Sequence, residues 1–188
     1  MCCLFALQAD TNGELATYGR YKYDALGKKV RFFEMGMYKN TTFSVDLLVL
    51  FNEGVLYEID WTRFRCTKKA LRTEFQPMQV PKDAVLMGQT IMGTASAFAQ
   101  GLLVNTWVGQ IKETNAKYMS VFTGIGCVPL SYMEHNEKTG WAMVNYFNNM
   151  LGIDNPQAFF PPSICRNAEL VGTTDFLEAL LGEDAMQE

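Results

Sequence analysis

The sequence predicts a mainly β protein, an antiparallel sandwich or half-open barrel with one short helix near its C-terminus. Three observations predict it. Apolar and polar residues alternate at period two over much of the chain. The alternating runs recur at short intervals, separated by Gly- and Asn-bearing turns. No internal repeat, low-complexity stretch or linker breaks the series, so residues 1–188 are expected to form a single domain.

The clearest element is the run in which Val55, Tyr57, Ile59 and Trp61 alternate with Leu56, Glu58 and Asp60. The second set is mainly polar, as a strand with one buried face requires. Before it, SVDLLVLF is almost continuously apolar, which suits a central strand covered on both sides. Asn52-Glu53-Gly54 between them is a short Gly turn, so the two runs form a β-hairpin. Lys28–Met35 and Val85–Met92 are further strand candidates. Leu102–Ile111 and Lys117–Thr123 flank the polar turn KETNA and suggest a second hairpin. Pro129–Glu134 and Trp141–Phe147 flank HNEKTG and suggest a third. In TTDFLEALLG, Asp175 caps a helix and Glu178 follows three residues on, as in a capping box. Phe176, Leu177, Leu180 and Leu181 form its apolar stripe, and Gly182 ends it.

Composition narrows the function. Nearly half the residues are apolar, and 19% are charged, which is the balance of a packed chain and not of a disordered one. Net charge is −4, and no basic stripe appears, which argues against binding a nucleic-acid backbone. KYDALGKKVRF and TRFRCTKKALR are locally basic but interrupted by apolar residues, as solvated strand edges are. No apolar run approaches the roughly 18–20 residues of a membrane-spanning helix. MCCLFALQA lacks the charged start of a complete signal peptide. Thirteen Phe and 11 Met allow either a thick core or an adaptable apolar pocket.

Catalytic signatures are missing. There is no G-x-S-x-G, no H-E-x-x-H, and TGIGC does not complete G-x-G-x-x-G, so it reads as a bulge or strand end. His135, the single histidine, stands in the polar stretch MEHNEKTG and reads as a solvated loop residue. Asp10-Thr11-Asn12-Gly13-Glu14 opens like a calcium loop but lacks its spacing and closing Glu, so it reads as a turn. Trp61, Trp107 and Trp141 fall on expected strands, where they serve as core or as the lining of a ligand cavity. The five cysteines, Cys2, Cys3, Cys66, Cys127 and Cys165, have no C-x-x-C spacing, which favours long-range disulfides over a zinc site. Asn40-Thr41-Thr42 is a glycosylation sequon.

Taken in order, LVLFNEGVLYEIDWTRFRC, VPKDAVLMG, Trp107 on a strand, Cys127-Val128-Pro129 and LGIDNPQAFFPPSIC resemble the ependymin-related family over roughly Tyr23 to Leu170. The resemblance implies two stacked antiparallel sheets in a curved sandwich with an apolar pocket. It implies a secreted, non-enzymatic glycoprotein, with lysosomal residence as the other compartment. The implied cargo is a lipid, a fatty acid or, as in some invertebrate members, a carotenoid. Calcium binding and a homo- or heterodimer are implied as well. In relatives the cysteines matching Cys66 and Cys165 pair. Cys127 pairs with an N-terminal cysteine, here Cys3 or Cys2. The stretch LFALQADTNGELATYGR departs from the family pattern.

The function expected is therefore binding of a long apolar ligand. The alternative is a calcium-dependent adhesion or matrix protein. The pocket is expected to use aromatic and Met positions on strands: Tyr57, Trp61, Met92, Phe98, Trp107, Met119, Phe122, Trp141 and Met143. Asn40 is the expected glycan acceptor. LGIDNPQAFFPPSICRNAEL is expected to be a rigid clasp in which Phe159 or Phe160 plugs a sheet edge and Cys165 fastens to Cys66.

Overall fold

In a computed structural model the protein is described over residues 2–10, 15–38, 41–112, 114–137 and 140–174. Asn40, the 11–14 turn and the expected helix beyond Thr174 lie outside the described residues. Among the described residues twelve strands form: β1 (Cys2–Asp10), β2 (Leu15–Asp24), β3 (Lys29–Tyr38), β4 (Thr41–Leu50), β5 (Val55–Asp60), β6 (Arg65–Leu71), β7 (Val85–Gly93), β8 (Gly101–Ile111), β9 (Ala116–Thr123), β10 (Pro129–Asn136), β11 (Gly140–Met150) and β12 (Leu170–Thr174). The three hairpins expected from the sequence are β4–β5, β8–β9 and β10–β11, each antiparallel.

The chain divides into two compact units, one built on Thr17–Pro77 and the segment from Asn148, the other on Phe5–Ala16 and Met78–Phe147. In the first, the strands run in the order β12-β6-β5-β4-β3-β2. In the second the order is β1-β11-β10-β9-β8-β7. The outer strands, β12 and β7, each pair on one side only, so the sheets stay open and do not close into a barrel.

The first unit is built around β4. Residues directly opposite on antiparallel strands share a face. Val49 stands between Val30 and Leu56, and these with Leu47 make one buried cluster, joined by Tyr23, Phe32, Phe51 and Phe75. On the other face Leu48 stands opposite Tyr57 and Leu50 opposite Val55, in a second cluster with Ile59 and Cys165. Leu47, Leu48, Val49 and Leu50 are at most 2% exposed, which is why the apolar run reads continuously and not as an alternation. The hairpin that follows closes through a 3-10 turn over Phe51–Glu53, and Gly54 takes the left-handed φ of 62° that ends it.

The second cluster is sealed by the segment after β11. Asn155 caps a 3-10 turn, Pro156–Phe159, by accepting from the Gln157 amide. Phe159 is buried, and Cys165 is bonded to Cys66 on β6. Phe160 is half-exposed and carries the Lys29 ammonium 5.3 Å from its ring centre. Beneath this clasp lies Asp46, almost fully buried. It accepts from Arg31 Nε at 2.9 Å, from Arg31 Nη2 at 2.8 Å and from Trp61 Nε1 at 2.7 Å. Arg31 Nη1 reaches the Ala158 carbonyl at 3.0 Å. One carboxylate thus joins β3, β4, the β5–β6 turn and the clasp.

Two expectations need correction. Trp61 is not on a strand: Asp60 accepts from the amides of Thr62 and Arg63 and turns the chain one residue earlier. His135 is not a loop residue, because β10 continues to Asn136 in register with β11.

Candidate functional site

The strand registers of the second unit assign each expected pocket residue to a face. Met143 stands opposite Met133, Met133 opposite Met119, Met119 opposite Val108, and Val108 opposite Val85. An apolar row therefore crosses β11, β10, β9, β8 and β7 on one face, three of its five members methionine. Beside it runs a second row, Trp141, His135, Lys117 and Gln110. The His135 and Trp141 rings lie 4.6 Å apart. Val121 and Thr106 continue the face on the other flank of the methionines. Farther along, Met92 stands opposite Leu102 on the same side.

This face is not sealed. Trp141 is 54% exposed, Met143 36%, Val85 64% and Met92 50%. Met119, Met133, Val108 and His135 are half-buried. Unbranched thioether side chains at the centre of such a face adapt to an irregular apolar shape.

The reverse face has a different chemistry. Trp107, Ser120, Tyr132 and Val144 form one row, and Tyr118 and Glu134 stand opposite each other in the next. Tyr132 Oη donates to Glu134 Oε2 at 2.8 Å, and the Tyr118 and Tyr132 rings stack at 6.1 Å. Burial and that bond to a carboxylate push the Tyr132 phenol far above its usual range. Burial, with Asp83 adding, also raises Tyr118. The Tyr118 ring crosses Gly109, where a Cβ would collide with the phenol end of the ring and have to push it aside. The hydroxyls of Tyr118 and Ser120 are buried without a hydrogen-bond partner among the described residues.

Of the nine expected pocket residues, Met92, Met119, Trp141 and Met143 share the open face. Trp107 and Phe122 turn to the reverse face, Phe122 opposite Asn105. Phe98 is fully exposed in the loop between β7 and β8. Tyr57 and Trp61 belong to the first unit, Tyr57 in the clasped cluster and Trp61 bonded to Asp46. Met133 and Val108 complete the row, and residue type alone did not single them out. The spacing across the hairpin turns is the signal that finds them.

Besides Asp46, the first unit buries a second carboxyl. Glu34, opposite Val45 on the face of the first cluster, is fully buried, and neither oxygen has a hydrogen bond of normal geometry. Desolvation raises its pKa from 4.5 to about 7, with the nearby Thr17 hydroxyl pulling it partly back. Among the described residues no group of three His, Cys, Asp or Glu side chains is placed to hold a metal ion. The thiol of Cys127 is free and exposed, in a left-handed turn with φ of 48°; the side chains of Cys3 and Cys2, its expected partners, lie outside the described residues.

Comparison with known proteins agrees with the fold and identifies the family. A solved structure of an uncharacterized conserved protein from Thermus thermophilus matches with a TM-score of 0.56 at 11% identity, covering 92% of this chain and 90% of that one. Ependymin-2 of Carassius auratus is 35% identical over 82% of this chain and 72% of its own length. Ependymin of Notemigonus crysoleucas is 33% identical over 88% and 76%. Mammalian ependymin-related protein 1 of Mus musculus is 25% identical over 78% and 65%. The signature of the family described as Ependymin matches residues 39–165, and the chain belongs to that family.

Proposed function

We propose that the chain is a non-enzymatic binding protein that holds a long apolar ligand against the open face of its second unit. One observation carries this reading: the row Met143–Met133–Met119–Val108–Val85 is continuous and apolar, yet only partly covered. Burying about 300 Å² of ligand hydrocarbon there contributes roughly 7 kcal/mol before the entropy of binding is subtracted. No bond is made or broken. The neighbouring row on one side supplies Lys117, with His135 and Gln110, beside the methionines, whereas the row on the other flank, Asn145, Ser131, Val121 and Thr106, is uncharged. A carboxylate or hydroxyl head meets the Lys117 row while the tail lies along the thioethers, the chemistry of a fatty acid or a polar-ended carotenoid. The disulfide between Cys66 and Cys165 favours an oxidising, secretory route, with Asn40 as its glycan acceptor.

Native mass spectrometry of protein purified without delipidation tests the reading. The expected spectrum shows a bound mass that is lost in Met133→Glu, since a buried charge on the row opposes an apolar ligand. An absorbance band in the visible identifies a polyene; colourless protein with extractable acyl chains identifies a lipid. Native material with no bound mass contradicts the proposal.

A further inference from the structure

The charge on β7–β11 is gathered toward one end of the strands. Gly93 stands opposite Gly101, Val104 opposite Thr123, Phe122 opposite Pro129 and Asn145 opposite Ser131. The end of β7, the start of β8, the end of β9, the start of β10 and the end of β11 therefore come together. No charged residue occurs between Asp83 and Lys112, between Lys117 and Glu134, or from Trp141 to Phe147, in a chain where 19% of residues are charged. Asp83, Lys112, Lys117, Glu134 and Glu137 all lie toward the opposite end, where Ile111 meets Ala116 and Asn136 meets Gly140.

The uncharged end is apolar and open. Phe98, in the loop between β7 and β8, is 100% exposed, and Ile125, in the turn between β9 and β10, is 87% exposed. Met92, Leu102, Leu103 and Phe147 behind them are half-exposed. The main chain of both connections closes on itself. Thr94 N donates to the Gln100 carbonyl, and Gln100 N to that of Ala97. Thr123 N donates to the Val128 carbonyl, Val128 N to Thr123 Oγ1, and that hydroxyl to the Ile125 carbonyl. Apolar side chains thus project from turns that bond much of their own backbone, the condition for entering a medium without water.

We propose that this end of the second unit is a lipid-docking surface, at which Phe98 and Ile125 enter the headgroup–acyl boundary of a zwitterionic bilayer. A protein interface surrounds its apolar centre with polar and charged groups that fix the partner's orientation, and this end has no charge to do so. A bilayer asks for none, and it covers apolar side chains without pairing the main chain. The missing cations select the lipid: anionic headgroups are held by Lys and Arg clusters, whereas phosphatidylcholine is entered by apolar side chains alone. Docking is shallow, because the outer edge of β7 carries unpaired main-chain groups that stay hydrated. The inference goes beyond the ligand reading. It needs a lipid surface and not a bound ligand, so either can fail alone.

The experiment is flotation of the full chain with phosphatidylcholine vesicles in a density gradient. The wild type is expected to float. Phe98→Asp and Ile125→Asp are each expected to weaken partitioning at least about tenfold. Both residues are exposed, so the denaturation midpoint is expected to stay at its wild-type value. Phe98→Trp, which keeps an aromatic anchor, is expected to float like the wild type. So is Leu26→Asp, which removes an apolar residue of the first unit that is 97% exposed. Mixing in phosphatidylserine is expected to bring no tightening. A wild type that stays at the bottom of the gradient, flotation that requires phosphatidylserine, flotation unchanged in both Asp variants of the tip, or flotation lost equally in Leu26→Asp or Phe98→Trp would each overturn the proposal.

Discussion

β4 of the first unit and β7 of the second show how differently the two units finish their sheets. Leu47–Leu50 on β4 are buried on both faces, one side by Tyr23, Phe51 and Phe75, the other by the clasp. β7 is exposed on both faces although its residues are as apolar. Apolar composition alone therefore does not say where a core lies. The difference comes from what the chain lays over each face: a disulfide-fastened segment over one, and open apolar surface along the other. The first unit is built for stability, and the second presents its apolar surface.

That contrast is sharpened by breaking the seal of the first unit. Asp46→Ala leaves Arg31 without its carboxylate and removes the bond from Trp61, and is expected to destabilise by about 3–5 kcal/mol in chemical denaturation. Cys165→Ser opens a crosslink between residues 99 apart in sequence and is expected to cost about 2–4 kcal/mol. In both variants any ligand bound at the face of Met119 and Met133 is expected to be retained under native conditions, because that face is built from strands of the other unit.

Glu34 gives a pH signature. Its carboxyl is neutral in the folded chain up to about pH 7 but ionises near 4.5 when exposed, so the folded state binds the extra proton between those values. The stability it supports is fully present below pH 4.5 and is lost as pH rises through 7, by roughly 3 kcal/mol in all. Glu34→Gln is expected to flatten that part of a denaturation-against-pH curve; an unchanged curve would remove Glu34 from the account. In the second unit, Gly109→Val forces the Tyr118 ring aside and is expected to cost about 1–3 kcal/mol, read from the same denaturation. Smallest of all, Lys22→Ala breaks an ion pair with exposed Asp154 and is expected to leave the denaturation midpoint where it was.

Much of the fold was legible in the sequence because its strands carry local signals. β4, β5 and the strands of the two later hairpins combine alternation with polar or Gly turns, and the observed ends fall within a few residues of those expected. β2 escaped notice because its buried positions include Thr17 and Gly19, which do not mark an apolar face. Trp61 and His135 moved across strand boundaries for reasons of hydrogen bonding and register that composition does not carry. The site was half legible. Met119 and Met143 are conspicuous, but which face they share depends on register, and a slip of one residue would turn either one over. Nothing in the sequence marks Glu34 as buried; its place opposite Val45 on the sealed face makes it a buried acid. The family signature fixed Cys66 and Cys165 as partners, where spacing had left the cysteines open.

The open methionine face is the centre of this account, and oxidation footprinting tests it directly. Natively purified protein and protein stripped of lipid by organic extraction are exposed briefly to hydrogen peroxide, and sulfoxide at each Met is quantified by peptide mass spectrometry. Met119, Met133 and Met143 are expected to be protected in the native sample and oxidised after stripping, while Met35 and Met37 of the first unit, both exposed, oxidise equally in the two. Equal oxidation of Met119, Met133 and Met143 in both samples would contradict a ligand on that face.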